Sequence, residues 1–200
     1  MGSDSIDLGL ENIWRSWLAF KKGKRQTAEF HEFQYFLEKN LFNLYRDLNN
    51  GEYQHGGYKK FVVSDNKRRE ISVASIRDRV VHRLVYDCLV PIYDKTFIYD
   101  AWSCRVGKGL LGAIQRAQYF MEKYPRGFVW KADVKKFFDS VDHSFLLKIL
   151  SFKIKDAKTY GLLKAIIDSF SIDVAGSAGG GSWYAYRKPY QPDICQYLSE

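Results

Sequence analysis

The sequence predicts an α+β chain that is mostly helical, with one β-hairpin and a sheet that is incomplete. Three observations carry this. Apolar residues make up 46% of the 200 residues, enough for a real core. Helical spacing of those residues dominates four long stretches. Only two places read as strand, a hairpin near residue 65 and a short apolar run before Asp133.

Element by element, "ENIWRSWLAF" is a short amphipathic helix, followed by the basic turn "KKGKR" (Lys21 to Arg25), a solvated turn or a phosphate contact. "TAEFHEFQYFLEKNLFNLYRDLNNG" follows as one helix. Thr27 is its N-cap, and "NNG" its C-cap signal. Phe30, Phe33, Leu37, Leu41, Leu44 and Leu48 form its apolar stripe. "KKFVV" and "REISV" flank the turn "SDNK" as a hairpin with a basic tip. In "SIRDRVVHRLVYDCLVPIYDKTF" the residues Val80, Val81, Leu84, Val85, Cys88 and Leu89 share a helical face. His82 beside them reads as a packed or surface histidine, and Pro91 ends or kinks the helix. "WSCRVGKG" is a loop and "GLLGAIQRAQYFMEKY" a helix. "GFVWKADV" reads as a buried strand. Two helices capped by Asp142 and Asp156 follow.

The formal net charge of +8 favours an anionic partner, nucleic acid first and an anionic membrane surface second. No apolar run reaches the ~20 residues that span a bilayer, and the N-terminus has no signal-peptide pattern. Three cysteines without a CxxC pair argue against a disulfide framework or a zinc site and fit the cytoplasm.

The chemistry concentrates in "VWKADVKKFFDSVDH". A carboxylate at the end of a buried strand needs a cation or donors to satisfy it. For Asp133 a metal ligand is the stronger reading. Asp139 and Asp142 read as turn or cap residues. Nucleotidyl transfer uses two Mg²⁺ ions held by a few carboxylates in this way.

"FVWKADVKKFFDSVDH" resembles the first palm motif of reverse transcriptases, especially those of group II introns, retrons and diversity-generating retroelements. "NGEYQHGGYKKFVVSDNKRREI" resembles that family's finger hairpin. "SIRDRVVHRLVYDCLVPIYDKTFIYDAWSCRVGKG" resembles the arginine-bearing helix and loop after it. The likeness runs from about Leu37 to Phe170, with the motifs in the family's order.

The resemblance implies the fingers and a partial palm of a right-hand polymerase fold. Residues 1–52 would be an N-terminal helical extension, 53–125 the fingers, and 126–175 a partial palm. Residues 176–200 would be a Gly/Ser spacer and an aberrant tail. By the same resemblance Asp133 would ligate both Mg²⁺ ions, helped by the Val134 carbonyl, and Phe138 would be the steric gate favouring deoxynucleotides. Lys67 and Arg69 would grip the dNTP triphosphate, with Arg68 as the alternative register. Arg105 would lie near the nascent base pair. Gly107 and Gly109 would let backbone approach the template, with Lys108 beside them. Arg77 and Arg79 are template-backbone contacts or a solvated helix face, with equal weight. The implied partners are an RNA template, a DNA or RNA primer and dNTP, with no membrane and no disulfide partner.

The resemblance stops short. The family's Gly-Asn motif, roughly "GLPIGNLTSQ", its Y-x-D-D hairpin and its thumb have no counterpart, and no "DD" dipeptide occurs. This predicts a reverse-transcriptase fragment that does not polymerise by itself. A non-catalytic RNA-binding module derived from polymerase fingers is the alternative. The last stretch bears on the choice. Synonymous codons exist for Trp183 to Ser199 that, read one base later, spell "GMPTGNLTSQIFANIYL". That is the absent motif and the helix after it. The expectation is a frameshift within or just before "VAGSAGGGS"; an engineered fusion is the rival account.

Overall fold

In a computed structural model, the structure describes residues 5–64, 68–134, 137 and 141–175; of residues 69, 70 and 171–175 only the backbone is described. The element order is α1 (Leu10–Lys21), α2 (Ala28–Tyr35), α3 (Leu37–Asn50), β1 (Tyr58–Ser64), β2 (Arg68–Ala74) and α4 (Ile76–Tyr93). After these come a 3₁₀ turn (Asp94–Thr96), α5 (Leu110–Lys123), α6 (His143–Lys153) and α7 (Ala157–Ala175).

The core forms where helical stripes meet. Ile13, Trp17 and Phe20 of α1 face Leu41, Leu44 and Leu48 of α3 and Val80, Val81, Leu84 and Val85 of α4. Phe30 of α2 closes one side, and Ile154, Leu162 and Leu163 of the α6–α7 pair join the same cluster. Trp17 lies at its centre with no exposed surface. Its ring stacks on Phe30 at 5.3 Å and tilts against Phe33 at 5.1 Å and Phe20 at 5.8 Å. These rings supply large apolar area and edge-to-face or offset contacts beyond it.

The long helix expected after Thr27 is two helices. Thr27 does cap it, accepting from the Phe30 amide at 3.3 Å. The turn breaks at Phe36, whose backbone (φ −101°, ψ 29°) leaves the helical region. The Asn40 side chain donates to the Phe33 carbonyl at 3.0 Å across the break, which supplies a partner to a carbonyl near the helix end. The apolar stripe survives because α3 resumes on the same side. Gly51 then ends α3 in the left-handed conformation (φ 73°), its amide bonded to the Asp47 carbonyl.

β1 and β2 pair antiparallel from Tyr58 opposite Ala74 to Ser64 opposite Arg68. β1 is open to solvent, with Phe61 49% and Val62 48% exposed. α4 runs through Pro91 to Tyr93, so Pro91 neither ends the helix nor stops its last turn. Proline there removes the amide that would otherwise bond the Asp87 carbonyl one turn back.

The expected buried strand is absent. Gly127–Val134 has no regular structure, and Phe128, Val129 and Trp130 are almost fully exposed. Apolar character is not enough to make a strand. Its amides need a neighbouring strand, and among the described residues the two strands of the hairpin pair only with each other. α5 likewise has no buried residue, with Leu110, Leu111 and Ile114 facing outward.

Candidate nucleic-acid site

The hairpin is rooted on one carboxylate. Asp78, in the first turn of α4, is 1% exposed. Its Oδ1 accepts from the Tyr53 hydroxyl at 2.9 Å. Its Oδ2 accepts from the Gly56 amide at 3.1 Å and the Ser75 hydroxyl at 2.6 Å. Ser75 Oγ in turn accepts from the Asp78 amide at 3.2 Å, which caps α4. Gly56 precedes β1 and Ser75 follows β2, so one side chain pins both ends of the hairpin. Gly56 has to be glycine for a steric reason, since a Cβ there would sit 2.9 Å from Asp78 Oδ2. Burial, and then the Asp78 carboxylate, pushes the Tyr53 hydroxyl far above its ordinary pKa, so Tyr53 stays a donor.

Beside this hub, His55 and His82 share a hydrogen bond between their Nε2 atoms at 3.0 Å, and His55 Nδ1 lies 2.6 Å from the Gly56 carbonyl. Burial pulls the His82 pKa down to about 4, reinforced by His55 and Arg79 and opposed by Asp78. His82 is therefore a packed histidine with a specific partner.

Arg77 and Arg79, read as template contacts or a solvated helix face, pack against neighbouring groups. Arg77 donates to Asp47 at 2.9 Å and to the Gln54 carbonyl at 3.2 Å, and its guanidinium lies over the Tyr53 ring at 5.0 Å. Arg79 lies over the Phe20 ring at 4.8 Å. Both stitch α4 to its neighbours, and neither is a solvated helix face. Salt-bridge and ring partners satisfy a guanidinium that is drawn into a helix interface.

Arg105 holds its own loop. It pairs with both carboxylate oxygens of Asp94 (2.7 and 3.2 Å) and donates to the carbonyls of Asp94, Ile98 and Ala101. These bonds account for all five guanidinium N–H donors. The hydrogen bond from Arg105 holds the Asp94 carboxyl below its usual range. These bonds tie the loop after the 3₁₀ turn to Asp94. Lys108 donates to the Tyr99 carbonyl at 2.6 Å and lies over the Tyr99 and Trp102 rings at 3.7 and 4.1 Å. Gly107 sits at φ 71°, where glycine is favoured; Gly109 is extended and begins α5.

Asp133 and Val134 lie in the exposed segment after Gly127. Phe138 and Lys67 lie outside the described residues, as do Asp139 and Cys195. Arg69 is placed by its backbone alone, paired with Val63 in the hairpin, and Arg68 beside it is exposed. Among the described residues no three His, Cys, Asp or Glu side chains converge as a metal would require. Asp133 alone is too few ligands for a pair of Mg²⁺ ions. No helix among the described residues is long and apolar enough to cross a membrane.

Sequence reading missed the Asp78 hub. Its signal was present: Ser75-x-x-Asp78 is a capping pattern before an apolar run, and Gly56-Gly57 marks where backbone approaches.

Comparison with known proteins bears on this arrangement. No protein-family model matches the chain. A yeast protein, the "Putative COX1/OXI3 intron 2 protein" of Saccharomyces cerevisiae, is 26% identical over 135 residues, 66% of this chain. The chain is similar to intron proteins. The "Uncharacterized 91 kDa protein in cob intron" of Schizosaccharomyces pombe is 27% identical over 122 residues, 56% of this chain. "Protein YkfC" of Escherichia coli is 28% identical over 133 residues, 64% of this chain. The matches span 35% of the length of the bacterial relative, 16% of the first fungal one and 15% of the second.

Proposed function

We propose that this chain carries the fingers and the first palm motif of a reverse-transcriptase-like intron protein, and that it handles RNA without polymerising DNA. The observation that carries the reading is the run of motifs from Leu37 to Phe170 in one order, in a chain similar to proteins described as intron proteins. The hairpin supports it. A hairpin with both ends pinned to Asp78, on which Arg68 and Arg69 open β2, suits a group that must meet a phosphate at a fixed place. With the family's remaining motifs supplied, the reaction would be template-directed dNTP addition at Asp133 and two Mg²⁺ ions, with Phe138 as the gate and a primer and RNA template as partners.

The second reading, a non-catalytic RNA-binding module derived from polymerase fingers, requires no further carboxylate beside Asp133. Both readings place phosphate contacts at the hairpin tip, Lys67, Arg68 and Arg69, rather than at Arg77 and Arg79.

A gel shift with single-stranded RNA across 50–200 mM salt tests this. Each phosphate contact contributes about 0.7 to the slope of log affinity against log salt. Replacing Lys67, Arg68 and Arg69 with alanine is expected to lower the slope by about 2 and weaken binding at least tenfold, on that same counterion accounting. Primer extension on the same preparation is expected to show no Mg²⁺-dependent dNTP incorporation. Equal RNA binding by the two proteins would overturn the hairpin assignment. Incorporation would overturn the inactive reading and leave the family assignment standing.

A further inference from the structure

The basic turn between α1 and α2 borders a hollow on the far side of α2 from nothing yet assigned a role. α1 ends at Lys21, and Gly23 then turns the chain in the left-handed conformation (φ 68°). The Lys24 amide closes the turn on the Lys21 carbonyl at 3.2 Å. This bend sets Lys21, Lys22 and Lys24 around a cavity of about 340 Å³. Two carboxamides line it as well, Gln26 just before the Thr27 cap and Gln34 on α2. Leu18 of α1 and Phe30 of α2 supply apolar wall. Phe30 is a fixed surface, because its ring stacks on the buried Trp17 at 5.3 Å.

Gathering like charges at one place is unfavourable unless something offsets it. A cation in the last turn of α1 suits the helix dipole, which accounts for Lys21. It does not account for Lys22 and Lys24 lining the same space. Among the described residues no carboxylate lines the hollow. Glu29, the acidic neighbour of Phe30, is paired with Lys59 of β1 at 2.6 Å. α2 starts at Ala28, and the positive end of its dipole adds to the field of the lysines.

The lining specifies a chemistry. Three ammonium groups suit a phosphate that carries more than one negative charge. Phosphate oxygens at neutral pH mainly accept, whereas each glutamine carboxamide offers an acceptor beside its donors, as the edge of a base requires. Leu18 and Phe30 give a flat ring apolar contact. The volume is at the low end of the ~300–1,000 Å³ usual for small-ligand pockets.

We propose that the turn between α1 and α2 is a nucleotide-binding site: Lys21, Lys22 and Lys24 hold the phosphate, and Gln26 and Gln34 meet the base against Leu18 and Phe30. A free nucleotide and the 5′-phosphate end of an RNA share this chemistry. The inference does not rest on the polymerase reading, and the site shares no residue with the hairpin tip.

Calorimetric titration of the full chain tests it, with ATP and with one short RNA made with a 5′-phosphate and again with a 5′-hydroxyl. Lys21→Gln, Lys22→Gln and Lys24→Gln together are expected to weaken ATP, or the 5′-phosphorylated RNA, by about tenfold or more, as for lost charge-assisted bonds. A second triple variant, Lys39→Gln, Lys148→Gln and Lys158→Gln, removes the same charge from exposed positions elsewhere. It is expected to change binding by less than about threefold, because distant exposed charges are screened. Should the first variant fail to fold, Lys21→Gln with Lys22→Gln makes the same comparison at two exposed residues. ATP binding that the first variant loses assigns a free nucleotide. A preference for the 5′-phosphate over the 5′-hydroxyl that the first variant loses assigns the RNA end. Absence of both would overturn the site, as would equal losses in the two triple variants.

Discussion

Asp78→Ala is expected to lose about 3–5 kcal/mol of stability, the range for removing one partner from a buried charged network. Asp78 accepts three hydrogen bonds while 1% exposed. Truncation leaves the Tyr53 hydroxyl, the Gly56 amide and the Ser75 hydroxyl without it, and each buried unpaired group is costly. The loss also falls on three elements at once, because the turn before β1, the exit from β2 and the cap of α4 share the carboxylate. Urea unfolding measures it. A companion substitution separates the polar account from simple packing. Gly56→Ala keeps every polar partner but drives a Cβ to 2.9 Å from Asp78 Oδ2, a contact that a clamped carboxylate cannot yield. It is expected to be destabilising too, by about 1–3 kcal/mol. A neutral Asp78→Ala would mean that the hub does not hold the root.

Trp17→Ala is expected to cost about 3–5 kcal/mol by loss of apolar burial and the cavity left behind. Its ring is fully buried and touches Phe20, Phe30 and Phe33. Those residues belong to α1 and α2, and the cluster they join reaches α3 and α4, so the cavity would open where four helices meet. Trp17→Phe makes the sharper comparison. The Trp17 Nε1 has no hydrogen-bond partner among the described residues. Removing that N–H therefore relieves an unpaired donor and partly offsets the lost ring volume. The phenylalanine variant is expected to lose about 1–2 kcal/mol, well under half the alanine effect. Losses of equal size would show that the indole N–H, and not the ring packing, is what matters.

Much of the helical architecture was legible in the sequence. The stripes on α3 and α4 gave their buried faces correctly, because a 3.6-residue period reports which side meets the core. Thr27, Gly51, Asp142 and Asp156 work as helix-end residues because their chemistry is local. The failures are non-local. The break at Phe36 depends on Asn40 reaching back to Phe33, and the strand expected before Asp133 depends on a partner elsewhere in the chain. Arg77 and Arg79 read equally as template contacts or a solvated helix face, and Arg105 as a residue near a base pair; the carboxylate, carbonyl and ring contacts each makes are brought near only by the fold. Asp78 escaped notice for the same reason. The Ser75-x-x-Asp78 pattern marks Asp78 as a cap of α4, and Gly56-Gly57 a close backbone approach, but neither pattern pairs the two.

The proposed function rests on the run of palm and finger motifs from Leu37 to Phe170. The most direct measurement is the nucleotide sequence that encodes Phe170 to Glu200 and the stretch after it. The account predicts that the frame one base later encodes "GMPTGNLTSQIFANIYL" beside Trp183 to Ser199, followed downstream by a Y-x-D-D hairpin in that same frame. A shifted frame that spells something else, or that reaches a stop before any paired aspartates, would contradict it.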